Sequence, residues 1–274
     1  MSSFAEAKFV ILPVPYEATT SYGQGTKAGP AAILKALDQV EEFNHEFQFD
    51  AWRKDGIYIQ KALSVANTKR LPVNQIKTGI QKILSKGKIP IMLGGEHSIA
   101  MPAVEIAKKH YPKLTVLQID SHADLRSKYM GDKDSHATVM RKILDICPAV
   151  QVGIRNISEE GYQFAKESGQ LKKIHFAEKK LNIRKVLRQL SRDVYITFDV
   201  DALDSAEMPS TGTPEPGGFY YRQVLELIKA VAKKKNIVGM DVVELMPIKG
   251  LHAPDFLVAK LIYQAICYIS YFSK

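Results

Sequence analysis

The chain has 274 residues, 46% hydrophobic and 24% charged, a size and mixture that bury a core unaided and exclude both a disordered protein and a disulfide-stapled scaffold. Its formal net charge of +9 raises the question of a polyanionic partner, but the lysines are dispersed. The one tight cluster, Lys233-Lys234-Lys235, falls where a helix is expected to end, a position that favours cations, so no nucleic-acid partner is expected.

The elements alternate from the start. An apolar run at 9–12 is read as a strand, followed by a helix over 30–40 with Pro30 in its first turn. Strand 56–59, helix 73–85, strand 89–93, helix 99–109, strand 114–119 and helix 137–144 come next. Strand 150–154, helix 158–166, strand 173–176, helix 183–190, strand 194–198, helix 222–233, strand 237–243 and helix 254–271, with Pro254 in its first turn, complete the series. Several strands are apolar without alternation, as in strands covered on both faces. The pattern implies one α/β domain over 1–274, three layers deep, with a mainly parallel sheet of about eight strands and helices on both faces. Cys147 and Cys267 lie in apolar surroundings and are expected to be buried, reduced thiols. No run is long enough to cross a bilayer and the first residues lack a signal peptide's apolar core, so no membrane association and a cytoplasmic location are expected.

Ligands of such sheets bind beyond the carboxyl ends of the strands, and there the polar residues gather. Gly94-Gly95-Glu96-His97-Ser98, Asp120-Ser121-His122-Ala123-Asp124, Asp199-Val200-Asp201-Ala202-Leu203-Asp204 and Glu244 each follow a different strand. This much negative charge in a cleft calls for a cation. In Asp120-x-His122-x-Asp124 and Asp199-x-Asp201, an extended backbone would turn alternate residues to one face, with His97 as a sixth donor. Four carboxylates and two imidazoles form a hard set that suits Mn²⁺ better than a structural zinc site. Six donors are too many for one ion that also holds water, whereas two ions bridged by carboxylates, roughly 3.5–4 Å apart, use them all and lower the pKa of a shared water toward neutrality. Taken singly, Asp201 or Asp204 could cap a helix and Asp120 could end a strand in a turn; Asp204 is read that way.

The chain resembles the ureohydrolase family, which includes arginase and agmatinase. The resemblance rests on Gly-Gly-Glu-His (94–97), Asp-Ser-His-Ala-Asp-Leu-Arg (120–126), Ser-His-Ala-Thr-Val-Met-Arg (135–141), Phe-Asp-Val-Asp-Ala-Leu-Asp (198–204), Gly-Thr-Pro-Glu-Pro-Gly-Gly (212–218) and Asp-Val-Val-Glu (241–244). It implies an arginase-like α/β fold with two Mn²⁺ per chain and a metal-bridging hydroxide that cuts urea from a small cationic guanidino compound. By that resemblance Asp120 and Asp199 bridge the ions, His97 and Asp124 complete one shell, and His122 and Asp201 complete the other. His136 matches a non-ligand histidine that shuttles protons near the leaving nitrogen. Glu244 matches the carboxylate that grips the guanidinium, 212–218 should form a rigid loop at the pocket mouth, and a homo-oligomer (trimer, tetramer or hexamer) is implied.

Ser121 stands where Ala is commoner, Ser205 where Pro is usual, and 245–255 is unlike typical members; these departures bear on substrate, not reaction class. The segments at 120–126 and 135–141 look like agmatinases, which implies agmatine as substrate and putrescine with urea as products. Between Asp124 and His136 there is no asparagine and the only serines are Ser127 and Ser135, so the polar grip that arginases use for the amino-acid end of arginine is missing. Aminopropyl-agmatine is the alternative substrate. Guanidinobutyrate and formiminoglutamate would want a cationic partner, for which Arg126 and Lys128 are the candidates. Outside catalysis, a guanidino-binding paralogue without turnover would keep the same residues, and a one-zinc deacetylase would not need His122 and Asp201.

Overall fold

The computed structural model describes residues 2–273. In chain order the elements are β1 (Phe9–Val14), α1 (Gly29–Leu37), β2 (Phe43–Asn44), β3 (Phe49–Asp50), α2 (Ala51–Lys54), β4 (Ile57–Ile59), α3 (Val73–Leu84), β5 (Ile89–Gly94), α4 (Ala100–His110) and β6 (Thr115–Ile119). They continue with α5 (Val139–Ile146), β7 (Ala149–Ile154), α6 (Glu159–Glu167), β8 (Ile174–Phe176), α7 (Ile183–Gln189), β9 (Asp193–Asp199), α8 (Tyr221–Lys234), β10 (Asn236–Val243) and α9 (Ala253–Phe272). Every strand expected from the sequence is present. The additions are a short antiparallel hairpin, β2–β3, and the single turn α2, capped by Asp50, whose side chain accepts from Trp52 N and Arg53 N.

Eight strands form one sheet in the order β4-β1-β5-β10-β9-β6-β7-β8, and each neighbouring pair is parallel. β1 and β7 are buried along their whole length, which is why their sequences run apolar without alternation. Alternate residues feed two cores. Phe9 and Ile11 pack with α1, α7, α8 and α9 on one face, while Val10 and Leu12 pack with α3, α4, α5 and α6 on the other. That is the three-layer arrangement. Helix patterning serves it: α3 buries Ile76, Ile80 and Ile83 on one stripe, the i, i+4, i+7 spacing of an amphipathic helix. Both prolines begin their helices as expected, and Cys147 and Cys267 are buried free thiols.

The chain does not lay its strands down in spatial order. β1, β4 and β5 build one side and β6 through β8 the other; β9 and β10, last in sequence, fill the gap between β5 and β6. The four central strands β5, β10, β9 and β6 are those that deliver His97, Glu244, Asp199 and Asp120. No helix among the described residues is long and apolar enough to cross a membrane.

Candidate metal centre and active site

At the carboxyl edge of these central strands, turns aim the side chains. The spacing argument expected extended backbone through both Asp-x motifs; the structure shows otherwise. β6 ends at Ile119, and Asp124 takes a left-handed conformation with φ 52°. Asp199 is the last residue of β9, whereas Asp201 sits in a 3₁₀ turn (Val200–Ala202) closed by Asp199, whose side chain accepts from Asp201 N. Convergence is reached by bending the chain. Glu244 is left-handed too, with φ 65°. Such conformations cost about 1–3 kcal/mol for a residue with a side chain and persist where surrounding structure imposes them. Gly95 has a different reason: a Cβ there would collide with the Tyr16 carbonyl, the same carbonyl that accepts from Glu96 N.

His97 Nδ1 lies 3.1 Å from Asp120 Oδ2, 3.2 Å from Asp124 Oδ2 and 3.5 Å from Asp199 Oδ2. None is aligned as a hydrogen bond, so the buried Nδ1 has no such partner. Across the cluster, His122 Nδ1 lies 2.8 Å from Asp201 Oδ2 and 3.9 Å from Asp120 Oδ1. Two groups of donors emerge, His97 with Asp120 and Asp124, and Asp120 with His122 and Asp201, each with its atoms within 4.8 Å of one another. Asp120 belongs to both. Asp199 reaches toward the first group only through His97. Ser121 places its hydroxyl 2.8 Å from His122 Nδ1.

Behind the cluster, polar residues inside buried strands fix its orientation. The Thr197 hydroxyl donates to Asp241 Oδ1 at 2.6 Å, so it must accept from His97 Nε2 at 2.8 Å. One hydrogen of His97 is thereby placed on Nε2, and Nδ1 faces three carboxylates. The Gln118 amide donates to Asp120 Oδ2 at 2.7 Å, His122 N donates to Asp120 Oδ1 at 2.6 Å, and Ser121 N donates to Asp201 Oδ1 at 3.0 Å. A ring nitrogen and carboxylate oxygens facing one point fit a hard divalent cation. The cluster can hold metal.

Charge crowding gives a further measure of that fit. Burial, then the Asp199, Asp201 and Asp124 carboxylates, hold Asp120 well above the usual carboxylate range; burial and Asp201 do the same to Asp199. His122 is pushed up to about 11, because Asp201 and its neighbours outweigh a large opposing effect of burial. For Asp201 burial is again the largest influence, but His122 overrides it and holds the carboxyl low. The raised acids keep protons that the unfolded chain has released, so the metal-free fold loses stability as pH rises through their folded values. The His122 contribution is complete below the ordinary 6.5 and is lost as pH rises through about 11. A divalent ion displaces these protons, so its stabilisation grows with pH. The gap in melting temperature between Mn²⁺-saturated and chelator-treated protein should widen from ~pH 6 to ~pH 8; an unchanged gap would sever the ion from these groups.

A cleft of about 250 Å³ opens over the cluster, lined by His97, His122, Asp124, Asp199, Asp201, His136 and Glu244 together with Tyr22, Arg126, Tyr129 and Glu215. His136 starts a 3₁₀ turn (His136–Thr138) capped by Ser135. Burial lowers its basicity despite nearby Asp124 and Glu96, so the ring is neutral near pH 7. Glu244 Oε1 accepts from His97 N at 2.7 Å, and burial, with Glu96, holds its carboxyl well above the usual range. Thr211, Gly212, Thr213 and Glu215 stand at the mouth, and that loop is pinned by Arg155, whose guanidinium donates to the carbonyls of Glu215, Pro216 and Asp201. Asp204 accepts from the backbone of Ala206, Gly217 and Gly218, the turn-holding part expected of it. Arg126 reaches the cleft; Lys128 is not among the lining residues. Glu96, Thr19, Gln118, Thr197, Asp241, Arg155 and Glu215 escaped the sequence reading as site residues. The signal for three of them was a polar residue within an apolar strand (Gln118, Thr197, Asp241), which must find a partner when buried.

Comparison with known proteins points one way. The model of the Arginase family matches residues 7–267. The N(1)-aminopropylagmatine ureohydrolase of Thermus thermophilus is 38% identical over 96% of this chain and 90% of its own. The agmatinase of Bacillus cereus is 36% identical over 90% of this chain and 86% of its own. Among solved structures, the agmatine ureohydrolase of Thermoplasma volcanium superposes with a TM-score of 0.87 at 32% identity, covering 99% of this chain and 93% of that one.

Proposed function

The chain belongs to the arginase family of hydrolytic enzymes, and we propose that it releases urea from a guanidino amine, with agmatine as substrate and putrescine as the second product. The observation that carries this is the placement, in one cleft, of a His/Asp metal cluster at the floor with Glu244 and His136 beside it. The sequence relatives named for agmatine and its aminopropyl derivative support the choice of substrate.

On this reading His97, Asp120, His122, Asp124, Asp199 and Asp201 would hold two Mn²⁺ per chain, with Asp120 common to both groups of donors. When bound, the pair supplies an acidified water and positive charge at the reacting carbon. The chain's own groups do the rest. Glu244 receives two N–H donors of the planar guanidinium side by side, which fixes its orientation; the His97 N–H already steadies one of its oxygens. The carboxylates of the cluster make the cleft floor attractive to a cation. His136 gives a proton to the departing amine.

The test is urea release, with added Mn²⁺, from agmatine, aminopropyl-agmatine, arginine and guanidinobutyrate. Agmatine should give the highest kcat/KM; no urea from any of the four would overturn the reading. A second reading, aminopropyl-agmatine as the preferred substrate, is favoured by the 38% identity to a relative of that name, and the ratio of the two kcat/KM values decides between them. His136→Asn should lower kcat by about 10²–10⁴-fold, the usual worth of acid–base help, with metal content unchanged. Loss of metal in that variant would make His136 a ligand.

A further inference from the structure

His136 does not hang freely in the cleft. Its Nδ1 lies 3.2 Å from Thr19 Oγ1 and its backbone N–H donates to the same oxygen at 3.3 Å. The Thr19 hydroxyl in turn donates to Glu96 Oε1 at 2.8 Å. Glu96 is fully buried and receives three more bonds, from Ala18 N at 2.7 Å, Thr19 N at 2.6 Å and the Ser98 hydroxyl at 2.6 Å. A carboxylate with four donors converging on it accepts only.

A hydroxyl has one hydrogen, and that of Thr19 is committed to Glu96. Toward His136 Nδ1 it can therefore only accept. We propose that Thr19, anchored by Glu96, is a positioning residue that forces the Nδ1–H tautomer on His136 and so leaves Nε2 as the basic nitrogen facing the cleft. This rests on the reading of His136 as the proton carrier. Nε2 takes a proton from solvent and passes it to the leaving nitrogen as the guanidino C–N bond breaks; with the hydrogen on Nε2 instead, the lone pair would point into the protein. Glu96 thereby serves two parts of the site. The peptide that follows it carries His97 of the metal cluster, and its side chain, through Thr19, sets His136.

One competitor is in reach. Ser135 Oγ lies 3.3 Å from His136 Nδ1 and could donate to it, which would demand the opposite tautomer. Thr19 and Ser135 thus pull the ring toward different forms, and the proposal is that Thr19 prevails.

The tautomer can be read directly from ¹⁵N shifts of the imidazole nitrogens in the full chain, with His136→Gln to assign the signal. Wild type should show a protonated Nδ1 and an unprotonated Nε2 on His136; the reverse would overturn the proposal without any activity measurement. Thr19→Val removes the hydroxyl at similar size, and Ser135 should then draw the ring toward the Nε2–H form. Its kcat should fall by roughly tenfold to a hundredfold, part of the ~10²–10⁴ that acid–base help is worth, with KM and metal content held, and Thr19→Ser should restore it. A Thr19→Val enzyme with unchanged kcat, or a Thr19→Ser enzyme as impaired as Thr19→Val, would refute the positioning role. If His136→Asn leaves kcat intact, the proton-carrier reading fails instead, and the ¹⁵N shifts still decide whether Thr19 sets the tautomer.

Discussion

Asp120→Asn should strip both halves of the metal cluster at once. Asp120 is the residue that both donor groups share, it is fully buried, and Asn matches its shape while removing its charge. Removing one partner of a buried charged pair costs about 3–5 kcal/mol, so affinity for each ion should drop by at least about a hundredfold and urea release at low micromolar Mn²⁺ should fall to background. A second measurement makes the test sharper, because its sign is opposite. Burial and three neighbouring carboxylates hold the Asp120 carboxyl far above its ordinary value, so in the absence of metal its charge destabilises the fold. Metal-free Asp120→Asn should melt above metal-free wild type at ~pH 8, while in saturating Mn²⁺ the order reverses. Retention of two ions with near-normal activity would remove Asp120 from the centre of the scheme.

Glu244→Gln should have an effect of comparable size by a different route. The carboxyl is raised by burial and by Glu96, and its left-handed backbone (φ 65°) keeps the side chain at the cleft. A guanidinium would supply the missing cation. Loss of one member of a buried, hydrogen-bonded charge pair costs about 2–5 kcal/mol, so kcat/KM for agmatine should fall by roughly 30-fold to several thousand-fold. Metal content should be unchanged, since Glu244 lies outside both donor groups. An unaltered kcat/KM would mean that the guanidinium is held elsewhere.

The strands were legible because a strand covered on both faces is mostly apolar without alternation, and the helices because each buries one stripe. Strand order was not: nothing within 193–199 or 236–243 records that these strands lie between β5 and β6, since adjacency in a parallel sheet is set by crossover paths rather than by local pattern. The two-residue strands β2 and β3 were too short to carry periodicity. Candidate site residues stood out by type at strand ends, yet the reason given for their convergence was incomplete. Alternation along extended chain could not anticipate the left-handed turn at Asp124 or the 3₁₀ turn under Asp201. The partnership of Thr19 with Glu96 was hidden for another reason: Glu96 stands in the Gly-Gly-Glu-His motif, but nothing ties it to Thr19 until the fold brings 18–19 against 96.

The late arrival of β9 and β10 in the sheet has a consequence for synthesis on the ribosome. Until residue 193 emerges, β5 and β6 present open, apolar edges to solvent or to chaperones, the kind of exposed strand that invites association with other chains. His97, Asp120 and Asp124 are made early, yet the positions completing the cluster, Asp199 and Asp201, come with the final third of the polypeptide. A nascent chain therefore cannot complete the cluster until it is nearly finished. Any ion the cluster holds would then bind last, between the two sides of the sheet and the strands inserted between them.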